Sequence, residues 1–122
     1  MTPADVEDLL APIVPVSVRA MFGGHGIYAD GRMFALIAYG ELFMKTDKQT
    51  IETFRTAGSE PFVHESKKGK TTTSYWQLPA EAYDDEETLR RFTGLALEAA
   101  QRAGAPKKRK KSPRKKTARK EG

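Results

Sequence analysis

Short turn sequences flanked by β-branched and aromatic residues fill the stretch from Val16 to Asp47, and they restrict the fold more than any other part of the chain. Asp30-Gly31 lies between Ile27-Tyr28 and Met33-Phe34. A type I′ turn needs positive φ at both central residues, which Asp-Gly accepts at little cost, so the flanks are predicted to pair as an antiparallel hairpin. Tyr39-Gly40-Glu41 closes a second hairpin between Phe34-Ala-Leu-Ile37 and Leu42-Phe-Met44. A three-stranded meander is expected. Its chemistry points to no reaction.

Ahead of the meander, Thr2 as N-cap, Pro3 at the first position and Asp5 near the positive end of the dipole predict a helix. Val6, Leu9, Leu10 and Ile13 give it one apolar stripe before Pro15 ends the run. After the meander, Asp47 is placed to cap a short helix carrying Ile51 and Phe54, with Gly58 ending it in the left-handed conformation. Phe62-Val63-His64 and Thr71 through Trp76 read as strands around the Lys67-Lys68-Gly69-Lys70 turn. The acidic run Asp84-Asp-Glu-Glu87 starts the longest helix, whose buried face is predicted to hold Leu89, Phe92, Ala96, Ala99 and Ala103, and Gly104 stops it.

Helix, three strands, helix, two strands, helix is therefore the expected order, α-β-β-β-α-β-β-α. Strands joined as hairpins rather than through crossover helices argue for an α+β two-layer sandwich, with helices covering one face of an antiparallel sheet. Pattern alone leaves open whether the two strand groups share one sheet.

Residues 1–104 form the foldable body, and a body of that size buries about 65% of the surface its unfolded chain exposes, so it needs no staple. The chain has no Cys, which removes disulfides, thiolate nucleophiles and Cys-based zinc sites and suits a reducing cytoplasm. No window is long and apolar enough for a membrane helix, and no signal-peptide plan opens the chain. A cytoplasmic protein without membrane contact is expected.

The motifs Arg19-Ala-Met-Phe-Gly-Gly-His-Gly-Ile-Tyr28, Phe34-Ala-Leu-Ile37, Lys45-Thr-Asp47, Gly58-Ser-Glu-Pro-Phe62 and Tyr75-Trp-Gln-Leu-Pro79, with the Ala-rich final helix, resemble the amino-terminal domain of the TfoX/Sxy competence regulators. The resemblance spans residues 6–103. It implies the same element order, a relation to secretion-chaperone-like folds and a bacterial cytoplasmic protein. Larger members of that family assist transcription of DNA-uptake genes and carry a second, helical domain; this chain is expected to be a member standing without it.

Several residue groups invite an enzymatic reading. Gly23-Gly24-His25-Gly26 looks like a phosphate-cradling loop, but a strand follows where such loops need a helix N-terminus. The competing reading is that these glycines allow a bulge or a close strand approach. His25 and His64, without Cys or a helical His pair, fall short of a metal site. Glu81 and Asp84 through Glu87 fit a helix start better than acid-base work. Tyr75 and Trp76 point to opposite faces of a strand, with Trp76 expected in the core and an exposed interaction platform as the alternative. No catalytic residue, cofactor or metal is predicted.

Charge divides sharply along the sequence. Residues 1–104 hold 11 Lys/Arg against 15 Asp/Glu, a net −4, while residues 105–122 hold 10 against one, a net +9. That second segment contains no large apolar residue and two prolines, so it is predicted to be disordered when free. Its cations Lys107, Lys108, Arg109, Lys110, Lys111, Arg114, Lys115, Lys116, Arg119 and Lys120 are the candidate nucleic-acid contacts. Such contacts act through release of phosphate counterions and read no sequence, so DNA and RNA are both candidate partners. Ser112-Pro113-Arg114-Lys115-Lys116 is similar to the Ser-Pro-basic-basic units of linker-histone tails, which favour the DNA minor groove.

A non-enzymatic accessory or regulatory protein follows as the leading expectation, its body contacting a protein partner or another copy of itself. The first alternative is a protein-binding adaptor or homodimeric, chaperone-like module in which the basic segment is incidental. The second is an enzyme acting through the His25 loop, which requires a pocket with convergent polar groups beside His25.

Overall fold

Thr2 does cap the first helix: its hydroxyl accepts from the Asp5 amide, and the Asp5 carboxylate accepts from the Thr2 amide in return. The computed structural model describes residues 1–21 and 23–104. In chain order these form α1 (Pro3–Leu10), β1 (Ser17–Met21), β2 (Gly24–Ala29), β3 (Arg32–Ala38), β4 (Glu41–Lys45), α2 (Ile51–Thr56), β5 (Pro61–Ser66), β6 (Gly69–Gln77), a 3-10 turn at Ala80–Tyr83 and α3 (Glu86–Gly104). All six strands lie in one antiparallel sheet, ordered β1-β2-β3-β4-β6-β5. The α+β class is as the sequence indicated, but the first strand group has four members, not three.

The additional strand is β1, which pairs with β2 from Ser17↔Tyr28 to Met21↔Gly24. Glycines hid it, because a run of them reads as loop. Gly24 sits in a strand for a steric reason: a Cβ there would lie 2.2 Å from the Ile37 carbonyl oxygen. Gly26 is a strand residue of the same kind, with the Met21 sulfur 2.8 Å and the Met33 sulfur 3.2 Å from where its Cβ would be. Close strand approach is thus the role of Gly24, whereas Gly26 leaves room for neighbouring side chains.

The hairpin turns have the backbone their sequences dictate. Asp30 and Gly31 have φ of 52° and 77°, and Tyr39 and Gly40 have φ of 52° and 75°. β2 and β3 slip register between Ile27 and Tyr28, so that Phe34 is left over and is buried beside Ala35. α1 ends at Leu10, earlier than its apolar stripe suggests, because Pro12 has no amide to donate back to the helix; Ile13 and Val14 donate to the Leu10 carbonyl instead.

The core lies between one sheet face and the helices. It gathers Val6 and Leu10 of α1, Ile27, Ala35, Leu42, Met44 and Trp76 of the sheet, Phe54 of α2, and Leu89, Phe92 and Ala96 of α3. Trp76 is 7% exposed, which settles its place in the core. Phe54 and Phe92 meet edge to face with centroids 4.9 Å apart. In α3 the buried stripe runs through Ala99 and Ala100, while Ala103, expected on it, is exposed.

That helix end is held by charge. Arg102 Nε and Nη2 donate to the two oxygens of Asp47 at 2.6 and 3.0 Å, tying α3 to the turn that starts α2. Asp47 also accepts from the Gln49 amide at 3.0 Å. The Arg102 guanidinium holds the Asp47 carboxyl below the usual carboxylate range, against the opposing effect of burial.

Replacing Gly24→Ala should destabilise by about 2–3 kcal/mol through its clash with a backbone oxygen. Replacing Gly94→Ala, where nothing lies within 4 Å of the added methyl, should stabilise α3 by about 1 kcal/mol; urea unfolding of both variants checks the pair. Asp47 has a depressed folded-state pKa, so its stabilising effect is full above the unfolded value of about 4 and is lost as pH falls through the folded one. Asp47→Asn should therefore lower the urea midpoint by a constant amount between about pH 5 and 7, with the gap to the parent closing below about pH 4.

Candidate functional site

Strand alternation gives the sheet two faces, and the helices cover only one. Leu42 and Met44 of β4 join the core, whereas Phe43 between them is buried yet stands outside that cluster, on the opposite face. There its ring lies 5.2 Å from the Phe62 ring of β5. Register carries the assignment across the sheet: Leu36 is opposite Phe43, Tyr75 opposite Lys45, and Arg19 opposite Gly26. Met21, Tyr28, Met33, Leu36, Phe43, Phe62 and Tyr75 thus populate the face without helices.

Two aromatic rings on this face carry cations. The Arg19 guanidinium stands 5.0 Å from the centre of the Tyr28 ring, and the Lys45 ammonium 5.2 Å from that of Tyr75. Lys45 also donates to the Ser74 hydroxyl at 2.7 Å. Burial, with a smaller effect from Tyr28, pushes the Tyr75 phenol up to about 12. Tyr75 stays protonated throughout the physiological range and acts here as an amphipathic surface.

A cleft of about 380 Å³ opens on the same face, bordered by Met21, Gly23, Gly24, His25, Met33, Leu36, Ile37, Ala38, Tyr39, Phe62, His64 and Glu65. β2 and β5 both border it although β3, β4 and β6 separate them in the sheet. Accumulated strand twist curls the sheet until its far edge leans over the meander. Tyr39 forms the lip, its ring 79% exposed and 6.0 Å from that of Phe62.

The cleft beside His25 meets the enzymatic expectation only in position. His25 pairs with Ile37 and alternates with Gly24 and Gly26, so its strand position is on the helix-covered side. His64, 6.3 Å from Phe62 between ring centres, is on the cleft side. Glu65 pairs with Lys70 at 3.7 Å. The lining is mainly apolar, and among the described residues no three His, Asp or Glu side chains gather as a metal cluster would. Asp85 has a capping role: its carboxylate accepts from the Thr88 amide and hydroxyl, which lower its pKa.

The ten candidate nucleic-acid contacts, Lys107 through Lys120, lie outside the described residues, immediately after α3. Sequence reasoning placed Trp76 and the turns but missed the cleft, which needs strands far apart in the chain. One signal was present in the sequence: Tyr39 occupies a hairpin position that Asn, Asp or Gly ordinarily fills. No helix among the described residues is long and apolar enough to cross a membrane.

Comparison with known proteins agrees with this architecture. Over 60 residues the chain is 32% identical to the DNA transformation protein TfoX1 of Aliivibrio fischeri, a stretch covering 49% of this chain and 29% of that protein. The chain therefore matches less than a third of that relative's length. The TfoX N-terminal domain profile matches residues 8–100, from within α1 to within α3. A match of that extent, running through every strand of the sheet, makes this chain a member of the TfoX N-terminal domain family.

Proposed function

We propose that this chain is a non-enzymatic, cytoplasmic regulatory or accessory protein whose body engages a protein partner or second copy while residues 105–122 associate with nucleic acid. The division into a body of net −4 and a segment of net +9 carries the reading. An acidic body is repelled by phosphate backbones, so attraction to DNA or RNA is assigned to the basic segment. Family membership supports a regulatory role, and the relative from Aliivibrio fischeri is named for DNA transformation.

Contacts made by this segment are with phosphates, so the association is independent of base sequence. With about six of the ten cations on phosphates, affinity falls with a log-log salt slope near −5. The segment then acts as a tether, raising the concentration of the body near polyanions. An adaptor whose body alone holds a protein client is the second reading, favoured by the apolar face that no helix covers.

Salt titration of the full chain and of residues 1–104 on the same duplex is the test. The full chain should bind with the steep slope, and the truncated body should not be retained at low salt. Equal binding by the two would remove the segment from the interaction.

A further inference from the structure

We propose that the cleft on the uncovered sheet face is a binding site for a planar aromatic small molecule of one or two fused rings. The inference stands independently of the basic segment. Volume is the first ground: about 380 Å³ falls at the lower end of the range of small-ligand sites and holds a compact ring system.

Lining chemistry is the second ground. Met21 and Met33 bring thioethers to the cleft, both drawn towards Gly26, whose missing side chain leaves room for their sulfurs. Sulfur at the edge of an aromatic ring is a favourable contact, and unbranched Met side chains adapt to differing outlines. Leu36 and Phe62 also line the cleft, and Phe62 offers a ring for stacking. His64, whose imidazole can both donate and accept, is the polar group on this side. A charged ligand would find no buried counter-ion in such a lining.

Tyr39 is the third, and it is independent of the cleft's shape. The Asp30-Gly31 turn uses residues that accept positive φ readily, whereas here a Tyr holds φ of 52°, a strained conformation for a bulky side chain. Folding gains little in return, since the ring is 79% exposed. Strain retained for an exposed aromatic at the lip of an apolar cleft fits a residue that closes over a bound ring.

Indole serves as the probe, titrated into the full chain and followed by amide and methyl NMR shifts. Saturable shifts confined to Met21, Met33, Leu36, Tyr39 and Phe62, with a dissociation constant below about 1 mM, are expected. Ala38→Phe, which fills the cleft from β3, should weaken binding at least about tenfold, and Phe62→Ala should weaken it too, with native shift dispersion retained in at least one of them. Tyr39→Asn should relieve the turn strain, raising the urea midpoint while still weakening indole. Absent or non-saturating shifts, or shifts unchanged in a folded cleft variant, would overturn the assignment. So would shifts that follow protein concentration rather than indole, since a second copy would then be the occupant.

Discussion

Three register pairs between β4 and β6, Phe43↔Gln77, Met44↔Trp76 and Lys45↔Tyr75, make one sheet of what would otherwise be a meander and a hairpin. A two-stranded hairpin alone is barely stable in water, so β5 and β6 depend on this seam. The seam is short but reinforced at both ends. Thr46 donates its amide and its hydroxyl to the Ser74 carbonyl, at 2.7 and 2.8 Å, and the Leu78 amide donates to the Leu42 carbonyl at 3.1 Å. Its central pair, Met44 and Trp76, buries both side chains against the helices. Chain closure here costs loop entropy over about thirty residues, and burial of those two side chains is what offsets it.

The same seam explains why one face stays open. α1, α2 and α3 all pack on the side of Met44 and Trp76, and α3 contacts β3 and β4 most closely. With helices on that side only, the sheet can twist freely on the other, and the β5–β6 hairpin swings towards β2. Phe62 then lies against Phe43, and Phe43 becomes buried with no helix above it. The cleft is what remains between the leaning hairpin and the meander.

Local chemistry was the legible part of the sequence. Thr2 and Asp5 reciprocally cap α1, Asp30-Gly31 turns as its residues require, and Gly58 has the positive φ of a helix stop. Each of these depends on neighbours within a few positions. β1 was missed because a strand needs its partner to be recognised, and its partner begins with Gly24, a glycine required by a carbonyl on a third strand. Ala103 was placed on the buried face because helical periodicity continues past Ala100, the last buried residue of α3. The single sheet and the cleft both rest on pairings between distant segments, and periodicity carries no information about those.

An uncovered apolar face on an acidic body and a strongly basic extension are complementary rather than redundant. Phosphate attraction is long-ranged, weakly directional and screened by salt over about 8–10 Å, so it localises a protein without choosing what the protein meets. An apolar cleft works at contact distance and discriminates by shape, gaining little from charge. The two are separated along the sequence, with the net +9 in residues 105–122 and the uncovered apolar face built by strands within residues 17–77. The Asp47–Arg102 pair holds the last turns of α3 to the start of α2, on the side of the sheet opposite Tyr28 and Tyr75, so the helix layer is tied down by charge at the end where its apolar stripe has run out.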